Sequence, residues 1–398
     1  RHCEAEGTPP VQTQCLAFSA DKGRTWTKYE GNPVLAHDVY ADFRDPKVFW
    51  HVETRRWVMI LACGQTVCLY HSPDLKAWTF GSEFGDGLGF HGGVWECPDL
   101  FPLAVDGDPA RTRWVMLVSV GDDPAFPEGS RMQYFTGDFD GISFVPDADS
   151  KEVRWLDGGR DHYAGVSWSD IPPEDGRRLT IGWMSNWKYA NETPTGSWRG
   201  AMTLPRALSL TDKDGNVVLT QMPVREIERL RRESKSWKDV AVTPEVPFIQ
   251  KTNEDLLEIE AVMDVRSGDE VQLVMKSSGQ SEIIIGYDPV RQWLFIDRSK
   301  SGLIDFHPSF ASRHGASLVA ADSEIKLHIW LDRNAVEVYA DNGLVAMTDQ
   351  IFPDAPIESI KISAKSGQII LNSLQIHTLE SIHQSGERSG HTSGRKDA

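Results

Sequence analysis

The chain has 398 residues, enough for about two or three domains with large buried cores. Its 40% hydrophobic and 25% charged residues are ordinary for a globular protein. No apolar run approaches the ~20 residues that a bilayer span needs, which excludes a membrane protein. The formal net charge of −17 disfavours binding to nucleic acids and to anionic membranes, because both are negatively charged as well.

The N-terminal half of the chain contains an internal repeat. Residues 19–27 are echoed by residues 72–79, each a polar turn followed by a Trp that opens a strand. Residues 55–61 and 112–118 share the run Arg-Trp-Val-Met followed by aliphatic residues. A repeat of about 50 to 65 residues that supplies several short strands is typical of a propeller blade. The sequence therefore predicts a β-propeller over residues 1–222, with about four blades.

The pattern changes after residue 222. Residues 224–233 carry apolar side chains three residues apart among alternating charges, which predicts a helical linker over residues 223–238. Residues 239–380 contain many short segments that alternate apolar and polar residues, as the strands of a β-sandwich do. The predicted chain is therefore all-β. Residues 381–398 have almost no apolar content and are predicted to form a disordered tail.

The cysteines do not indicate a disulfide framework. An odd number in a chain of this size argues against one. Cys63 and Cys68 stand close enough to face each other across a hairpin, but the sequence favours two half-buried free thiols over a disulfide. All five cysteines lie in the first quarter of the chain: Cys3, Cys15, Cys63, Cys68 and Cys97.

Two acidic residues stand where inner strands of the propeller are predicted to begin. Asp45 follows Arg44 just before an apolar strand, and Glu96 has the matching position one blade later. Because inner strands converge on the propeller axis, we expect the two carboxyl groups to lie close together. Paired carboxylates near aromatic residues are typical of glycoside hydrolysis. The pattern also permits a plainer interpretation, in which both acids cap turns and Arg44 and Asp45 form a surface pair.

Three blocks of the sequence resemble glycoside hydrolase family 32, the invertase, inulinase and levanase group. They are residues 43–47 (Phe-Arg-Asp-Pro-Lys), residues 95–101 (Trp-Glu-Cys-Pro-Asp-Leu-Phe) and the longer run 181–206. Shorter segments are similar to family signatures as well, namely residues 137–141, 157–164, 332–339 and 351–353. The blocks occur in order from about residue 12 to residue 377, so together they are specific.

The resemblance implies a five-bladed propeller followed by a β-sandwich, and retaining hydrolysis of β-fructofuranosidic bonds in inulin, levan or sucrose. It makes Glu96 the general acid/base, with Cys97 tuning it, and makes Asp45 the stabiliser of the oxocarbenium-like transition state. It implies a fructose-containing oligo- or polysaccharide as the partner and needs neither a cofactor nor a metal. The residues that it implies for substrate binding are Arg44, Trp187, Asp161 and Tyr163. For Trp187, a place in the core of a blade stays open.

One feature of the family is missing from the sequence. The family's nucleophile stands in an Asn-Asp-Pro block that begins its first blade, and this chain contains no Asn-Asp-Pro. The nearest match, Asp122-Asp123-Pro124, follows a strand and resembles a different loop. We therefore expect the chain to begin about one blade late, to hold no nucleophile, and to be inactive or nearly so as it stands. Apolar faces and sheet edges would then be exposed.

Two other functions stay open on the sequence alone. The missing nucleophile is compatible with a non-catalytic fructan-binding or defunct propeller. Residues 19–26 also fit the Asp-box turn of sialidase propellers, although Arg44 alone occupies a blade start where an arginine cluster would be needed. Release of free fructose from inulin by a chain extended upstream would favour the hydrolase, whereas binding without release, even with the upstream blade restored, would favour the non-catalytic protein. A polymeric substrate would imply secretion.

Overall fold

The computed structural model describes residues 11–147 and 152–382. These residues form 29 β-strands and one short 3-10 helix, so the prediction of an all-β chain is confirmed. Within the two described ranges, no helix has the length and apolar character needed to cross a membrane. Apart from its first two positions, the predicted disordered tail lies outside the described residues.

The N-terminal part begins with two small ladders. Strand β1 (Thr13–Gln14) pairs with β4 (Leu35–Ala36), and β2 (Ala17–Phe18) pairs with β3 (Thr27–Lys28). The turn between β2 and β3 is held by one carboxylate, Asp21, which accepts two backbone N–H groups. Asp74 likewise accepts two backbone N–H groups in the matching turn further along the chain, which explains why the two turns have similar sequences.

Three four-stranded antiparallel blades follow. The first blade consists of β5 (Phe43–His51), β6 (Arg56–Cys63), β7 (Thr66–Ser72) and β8 (Thr79–Phe84). The second consists of β9 (Trp95–Val105), β10 (Asp108–Val120), β11 (Arg131–Phe139) and β12 (Phe144–Pro146). The third consists of β13 (Tyr163–Ser167), β14 (Arg178–Met184), β16 (Arg206–Lys213) and β17 (Asn216–Pro223), with β15 (Ala201–Met202) added beside β14. The sequence predicted about four blades, and the described residues form these three complete ones and the two ladders.

The predicted helical linker is wrong over most of its length. Only Arg225–Leu230 is helical, as a 3-10 helix, and β18 (Arg231–Val242) already belongs to the sandwich. Most side chains of β18 are exposed, so its sequence lacks the apolar alternation of a buried strand. Its backbone pairing with the last strand of the chain, rather than its side chains, sets its conformation.

The C-terminal part is a sandwich of two six-stranded sheets around one large aliphatic core. In one sheet the order is β18, β29 (Gly367–Leu379), β20 (Leu257–Gly268), β25 (Glu324–Asp332), β26 (Ala335–Ala340) and β27 (Val345–Gln350). In the other the order is β19 (Phe248–Lys251), β28 (Ile357–Ala364), β21 (Val271–Ser277), β22 (Glu282–Asp288), β23 (Trp293–Lys300) and β24 (Arg313–Ser317).

Cys63 and Cys68 form a disulfide, so the prediction of two free thiols is wrong. They flank the tight hairpin between β6 and β7, which brings their Cα atoms to 6.0 Å, inside the range that a disulfide spans. Both are buried. Cys15 and Cys97 are free thiols.

A segment of the propeller, residues 157–161, runs along the free edge of β27 in the sandwich. The N–H of Gly158 donates to the carbonyl of Ala346 at 2.8 Å, and the N–H of Asp161 donates to that of Thr348 at 2.9 Å. We call residues 157–161 the strap. The strap covers the edge strand, which would otherwise present unpaired backbone groups.

We predict that Gly159→Ala destabilises the protein. A Cβ at residue 159 would lie 2.2 Å from the Thr348 carbonyl oxygen, so the strap would have to move away from β27. The expected loss is about 2 kcal/mol of unfolding free energy, measured by urea denaturation. Gly121→Ala is the control, because its Cβ would have no neighbour closer than 3.4 Å. Equal stability of the two variants would contradict the prediction.

Candidate active site

The inner strands of the three blades share one irregularity near their N-terminal ends. In β5, Arg44 pairs with Ala62 and Lys47 pairs with Ile60, so two residues of β5 face one residue of β6. This is a β-bulge, which bends a strand and redirects its side chains.

The same bulge recurs in β9, between Glu96 and Asp99, and in β13, between Tyr163 and Val166. The bulges therefore put Arg44, Glu96 and Tyr163 at equivalent positions of three successive blades.

The residue that follows each of these positions has a left-handed backbone. The φ angles are +59° at Asp45, +47° at Cys97 and +50° at Ala164, a region that non-glycine residues rarely occupy. In β5 and β9 the next residue is proline, which has no N–H to donate to the ladder and so suits a bulge. Strained backbone of this kind is concentrated at functional sites.

Arg44, Glu96 and Tyr163 meet through their side chains. The Nη2 and Nε atoms of Arg44 donate to Oε1 of Glu96 at 2.8 and 3.2 Å. The hydroxyl of Tyr163 donates to the other oxygen, Oε2, at 2.5 Å. Burial and the charge of Glu96 raise the pKa of Tyr163, so its hydroxyl stays protonated and acts as the donor. The Glu96 carboxylate is thus held by one donor group on each side.

Asp45 faces the same guanidinium as Glu96. Its Oδ2 atom lies 3.8 Å from Nε of Arg44 and accepts the backbone N–H of Cys97 at 3.1 Å. The Cys97 thiol lies 3.6 Å from that same oxygen. The structure therefore brings both predicted acids to one guanidinium, and it places the predicted tuning residue Cys97 in contact with Asp45.

A second polar layer lies three residues further along the inner strands, where Lys47 and Asp99 follow Arg44 and Glu96. Asp99 is fully buried and accepts the N–H and the hydroxyl of Ser167, both at 2.7 Å. Lys47 Nζ lies 3.2 Å from the Asp99 carboxylate. This layer links the inner strands of all three blades below the site. Lys47 and Asp99 stand at matching positions of the two sequence blocks and carry opposite charges. They were nevertheless not among the site residues predicted from the sequence.

Trp187 lies in the loop after β14, 47% exposed. Its ring packs against that of Trp183, with the centroids 4.8 Å apart, and Trp183 in turn lies 6.3 Å from the Tyr163 ring. The neighbouring Asn186 is buried and bonds the carbonyls of Glu128 and Arg160. These hydrogen bonds hold the loop that presents the half-exposed Trp187 indole, an apolar platform suited to a sugar ring.

Asp161 does not line this site, so its predicted role in substrate binding is wrong. It is fully buried between the two domains, where Oδ2 accepts from Nη1 of Arg298 at 2.5 Å and from the N–H of Gln350 at 2.8 Å. Its Oδ1 accepts the hydroxyl of Tyr189 at 2.6 Å. Both oxygens of the carboxylate are already bonded by the protein.

His162, between Asp161 and Tyr163, is a buried ring whose two nitrogens have no hydrogen-bond partner among the described residues. Burial, followed by the charge of Arg206, lowers its pKa to about 3. The ring is therefore neutral at ordinary pH and lies beside Gly165 and Gly182, where an added Cβ would come within 3.0 Å of it.

Among the described residues, Glu258, Glu260 and His377 have ligand atoms within 4.8 Å of one another, close enough to hold a metal ion. The group lies on the sandwich, away from the bulges. Arg231 donates to Glu258 at 2.5 Å and to Glu260 at 2.7 Å, so a guanidinium already neutralises both carboxylates. The arrangement is an ion-pair network rather than an open ligand set.

Comparisons with known proteins agree with this architecture. The family model "Glycosyl hydrolases family 32 N-terminal domain" matches residues 2–223, and the model for the C-terminal part of that family matches residues 226–378. The crystal structure of an exo-inulinase from Aspergillus awamori superposes with a TM-score of 0.84 at 30% identity, over 93% of this chain and 75% of that one.

Curated sequences give the same result. A levanase of Bacillus subtilis is 46% identical over 375 residues, which are 93% of this chain and 55% of the levanase. An extracellular exo-inulinase of Aspergillus niger is 33% identical over 93% of this chain and 72% of its own length. This chain belongs to glycosyl hydrolase family 32, with its β-propeller followed by a β-sandwich. The chain spans 55% of the length of the Bacillus subtilis levanase and 41% of a further levanase, from Bacillus sp. strain L7.

We predict that Cys97 reacts slowly with iodoacetamide. Burial and the charges of Asp45 and Glu96 raise the pKa of its thiol to about 12, so at pH 8 only about one molecule in ten thousand carries the reactive thiolate. Cys15 is exposed and serves as the internal control. Peptide mass spectrometry should show Cys15 alkylated well before Cys97 in the folded protein, and both alkylated at similar rates in urea. Equal rates in the folded state would contradict the placement of Cys97.

We predict that His162 weakens the fold in acid. The unfolded chain binds a proton on this ring below pH 6.5, whereas the folded chain does so only near pH 3, so the free energy of unfolding falls as the pH drops through this window. The expected loss from His162 between pH 7 and pH 5 is about 2 kcal/mol. His162→Leu should remove that part of the slope in urea titrations at several pH values, whereas the part-buried His37→Gln should leave it. An unchanged slope in His162→Leu would refute the prediction.

Proposed function

We propose that this chain carries the acid/base part of a fructan hydrolase that releases terminal fructose from β-fructofuranosides. The observation that carries the proposal is the position of Glu96. Its carboxylate stands at the bulged start of an inner strand, part-exposed, with a second acid on the same guanidinium. Family membership supports the reaction class, since curated members bear the names levanase and exo-inulinase.

In this proposal Glu96 protonates the glycosidic oxygen as a carboxylate nucleophile, which is not assigned in this chain, displaces that oxygen at the fructosyl carbon. Glu96 later removes a proton from the water that displaces the nucleophile and releases fructose. Tyr163 and Arg44 hold the carboxylate from opposite sides, so it cannot rotate away from the leaving group. Fixed orientation of a catalytic group lowers the barrier because no order has to be created during the reaction.

Asp45 is proposed to stabilise the positive charge that develops on the fructosyl ring. Its oxygen is anchored by the Cys97 N–H, so its negative charge is preorganised rather than mobile. Trp187 is proposed to pack against the sugar, and Arg44 to bind its hydroxyl groups. The proposal assigns no nucleophile in this chain and no cofactor.

Levan is the proposed preferred substrate among levan, inulin and sucrose. The identity to the Bacillus subtilis levanase, 46%, exceeds the 33% identity to the Aspergillus niger exo-inulinase over the same share of this chain. A polymeric fructan is too large to enter a cell by diffusion, so secretion is proposed with it. The Cys63–Cys68 disulfide fits an oxidising compartment.

The non-catalytic fructan-binding protein is the second candidate. This candidate needs only the binding groups of the site, such as Arg44 and Trp187, and no nucleophile. Both proposals place fructose at the same residues and differ in whether the bond is broken.

The test measures free fructose released from levan, inulin and sucrose, together with fructose binding followed by tryptophan fluorescence. We predict that Glu96→Gln lowers any fructose release by about 10²- to 10⁴-fold, the usual contribution of a general acid, and leaves fructose binding within a few-fold. Glu83→Gln is the matched control, since this glutamate lies on the outermost strand of the first blade.

Fructose release that Glu96→Gln abolishes supports the hydrolase. Fructose binding without release supports the non-catalytic protein if it persists after an upstream segment that supplies a carboxylate nucleophile is joined to the chain, because this chain is assigned none. Absence of both binding and release, or release that Glu96→Gln leaves unchanged, overturns the proposal.

A further inference from the structure

We propose that Arg298, a residue of the sandwich, is a positioning residue for the sugar site of the propeller. The inference rests on the proposed function. It assigns to the second domain a task in assembling the site, through one buried guanidinium that fixes two propeller segments at once. One segment leads to Tyr163 and the other carries Trp187.

Arg298 is itself rigidly held. It lies on β23 with a side chain that is 0% exposed, and its Nε donates to the carbonyl of Phe310 at 2.9 Å. Its guanidinium packs over the Phe310 ring at 4.1 Å. Asp349 lies 3.2 Å from Nη1. A side chain held by these contacts has little freedom to move, so the position of Arg298 determines the positions of the groups that it bonds.

The first propeller partner is the strap. Nη1 of Arg298 donates to Asp161 at 2.5 Å, and the Asp161 N–H is bonded to β27. Asp161 stands two residues before Tyr163, and the Tyr163 hydroxyl donates to Glu96. Only one residue separates the bonded Asp161 from Tyr163 in the chain, so the backbone limits how far the Tyr163 ring can move.

The second partner is the loop of residues 186–190. Nη2 of Arg298 bonds the Tyr189 hydroxyl at 2.7 Å, and that hydroxyl donates to Asp161 at 2.6 Å. Arg298, Asp161 and Tyr189 thus form a closed triangle of hydrogen bonds. Tyr189 stands two residues after Trp187, so the triangle also sets the position of the proposed sugar platform.

A comparison within the same interface separates positioning from simple stabilisation. Arg206 is also fully buried and bonds Asp157 at 2.9 Å and Glu337 of the sandwich at 2.8 Å. It therefore joins the two domains as Arg298 does. Its partner Asp157 lies at the far end of the strap from Tyr163. Within the described residues, Arg206 makes no hydrogen bond to the loop that carries Trp187.

The experiment compares Arg298→Lys with Arg206→Lys in the full chain. Both variants keep the charge and lose the forked geometry. We expect similar drops in melting temperature. We expect the dissociation constant for fructose, measured by tryptophan fluorescence, to rise about tenfold in Arg298→Lys and to stay within about twofold of the wild type in Arg206→Lys. Tyr189→Phe, which removes one hydroxyl and keeps the ring, should give a smaller rise in the same direction.

Crystal structures of the variants test the geometry without any ligand. In Arg298→Lys the Tyr163 hydroxyl should leave hydrogen-bond distance of Glu96, whereas in Arg206→Lys it should stay. If Arg298→Lys fails to fold, Tyr189→Phe decides in its place. Equal effects of both arginine substitutions, or an intact Tyr163–Glu96 bond in Arg298→Lys, would overturn the inference. If the wild-type chain binds no fructose, the proposed function fails, and the crystal structures still decide the role of Arg298.

Discussion

The bulge at the start of each inner strand is the constraint on which the site depends. A regular strand sends successive side chains to opposite faces along its whole length. One extra residue changes the direction of the strand. Three blades that repeat the bulge then present three different polar groups at one point. The cost is a left-handed backbone at Asp45, Cys97 and Ala164, which the surrounding ladders maintain.

Charge is organised in layers around this point. At the site, Arg44 neutralises Glu96 and faces Asp45, and below it Lys47 neutralises Asp99. Each cation comes from one blade and its principal partner from the next, so the same ion pairs that balance charge also join the inner strands. Partly buried pairs of this kind contribute little net stability but penalise any other arrangement, because a separated charge would remain shielded from water without a partner.

Much of this could be predicted from the sequence, and what could not has a physical cause. The blocks around Asp45 and Glu96 could be recognised in the sequence because each bulge contains a proline and each block consists of a few consecutive residues. Asp161 was misassigned because its partner Arg298 lies 137 residues away in the other domain, and no local pattern records such a pairing. The strand beginning at Arg231 was misread as helix because an exposed strand held by backbone pairing has no need for apolar alternation. The disulfide was missed because pairing depends on the hairpin geometry at Cys63.

The strap gives the two-domain architecture an evolutionary consequence. A β-sandwich that relies on a neighbouring segment to complete its edge, and that sends Arg298 into that neighbour, cannot be exchanged as an independent module. A recombined gene that joined this propeller to a foreign sandwich would leave Asp161 as a buried, uncompensated anion. The propeller and the sandwich are therefore expected to be inherited together. The residues of the interface between them are expected to change more slowly in evolution than those of the surrounding loops.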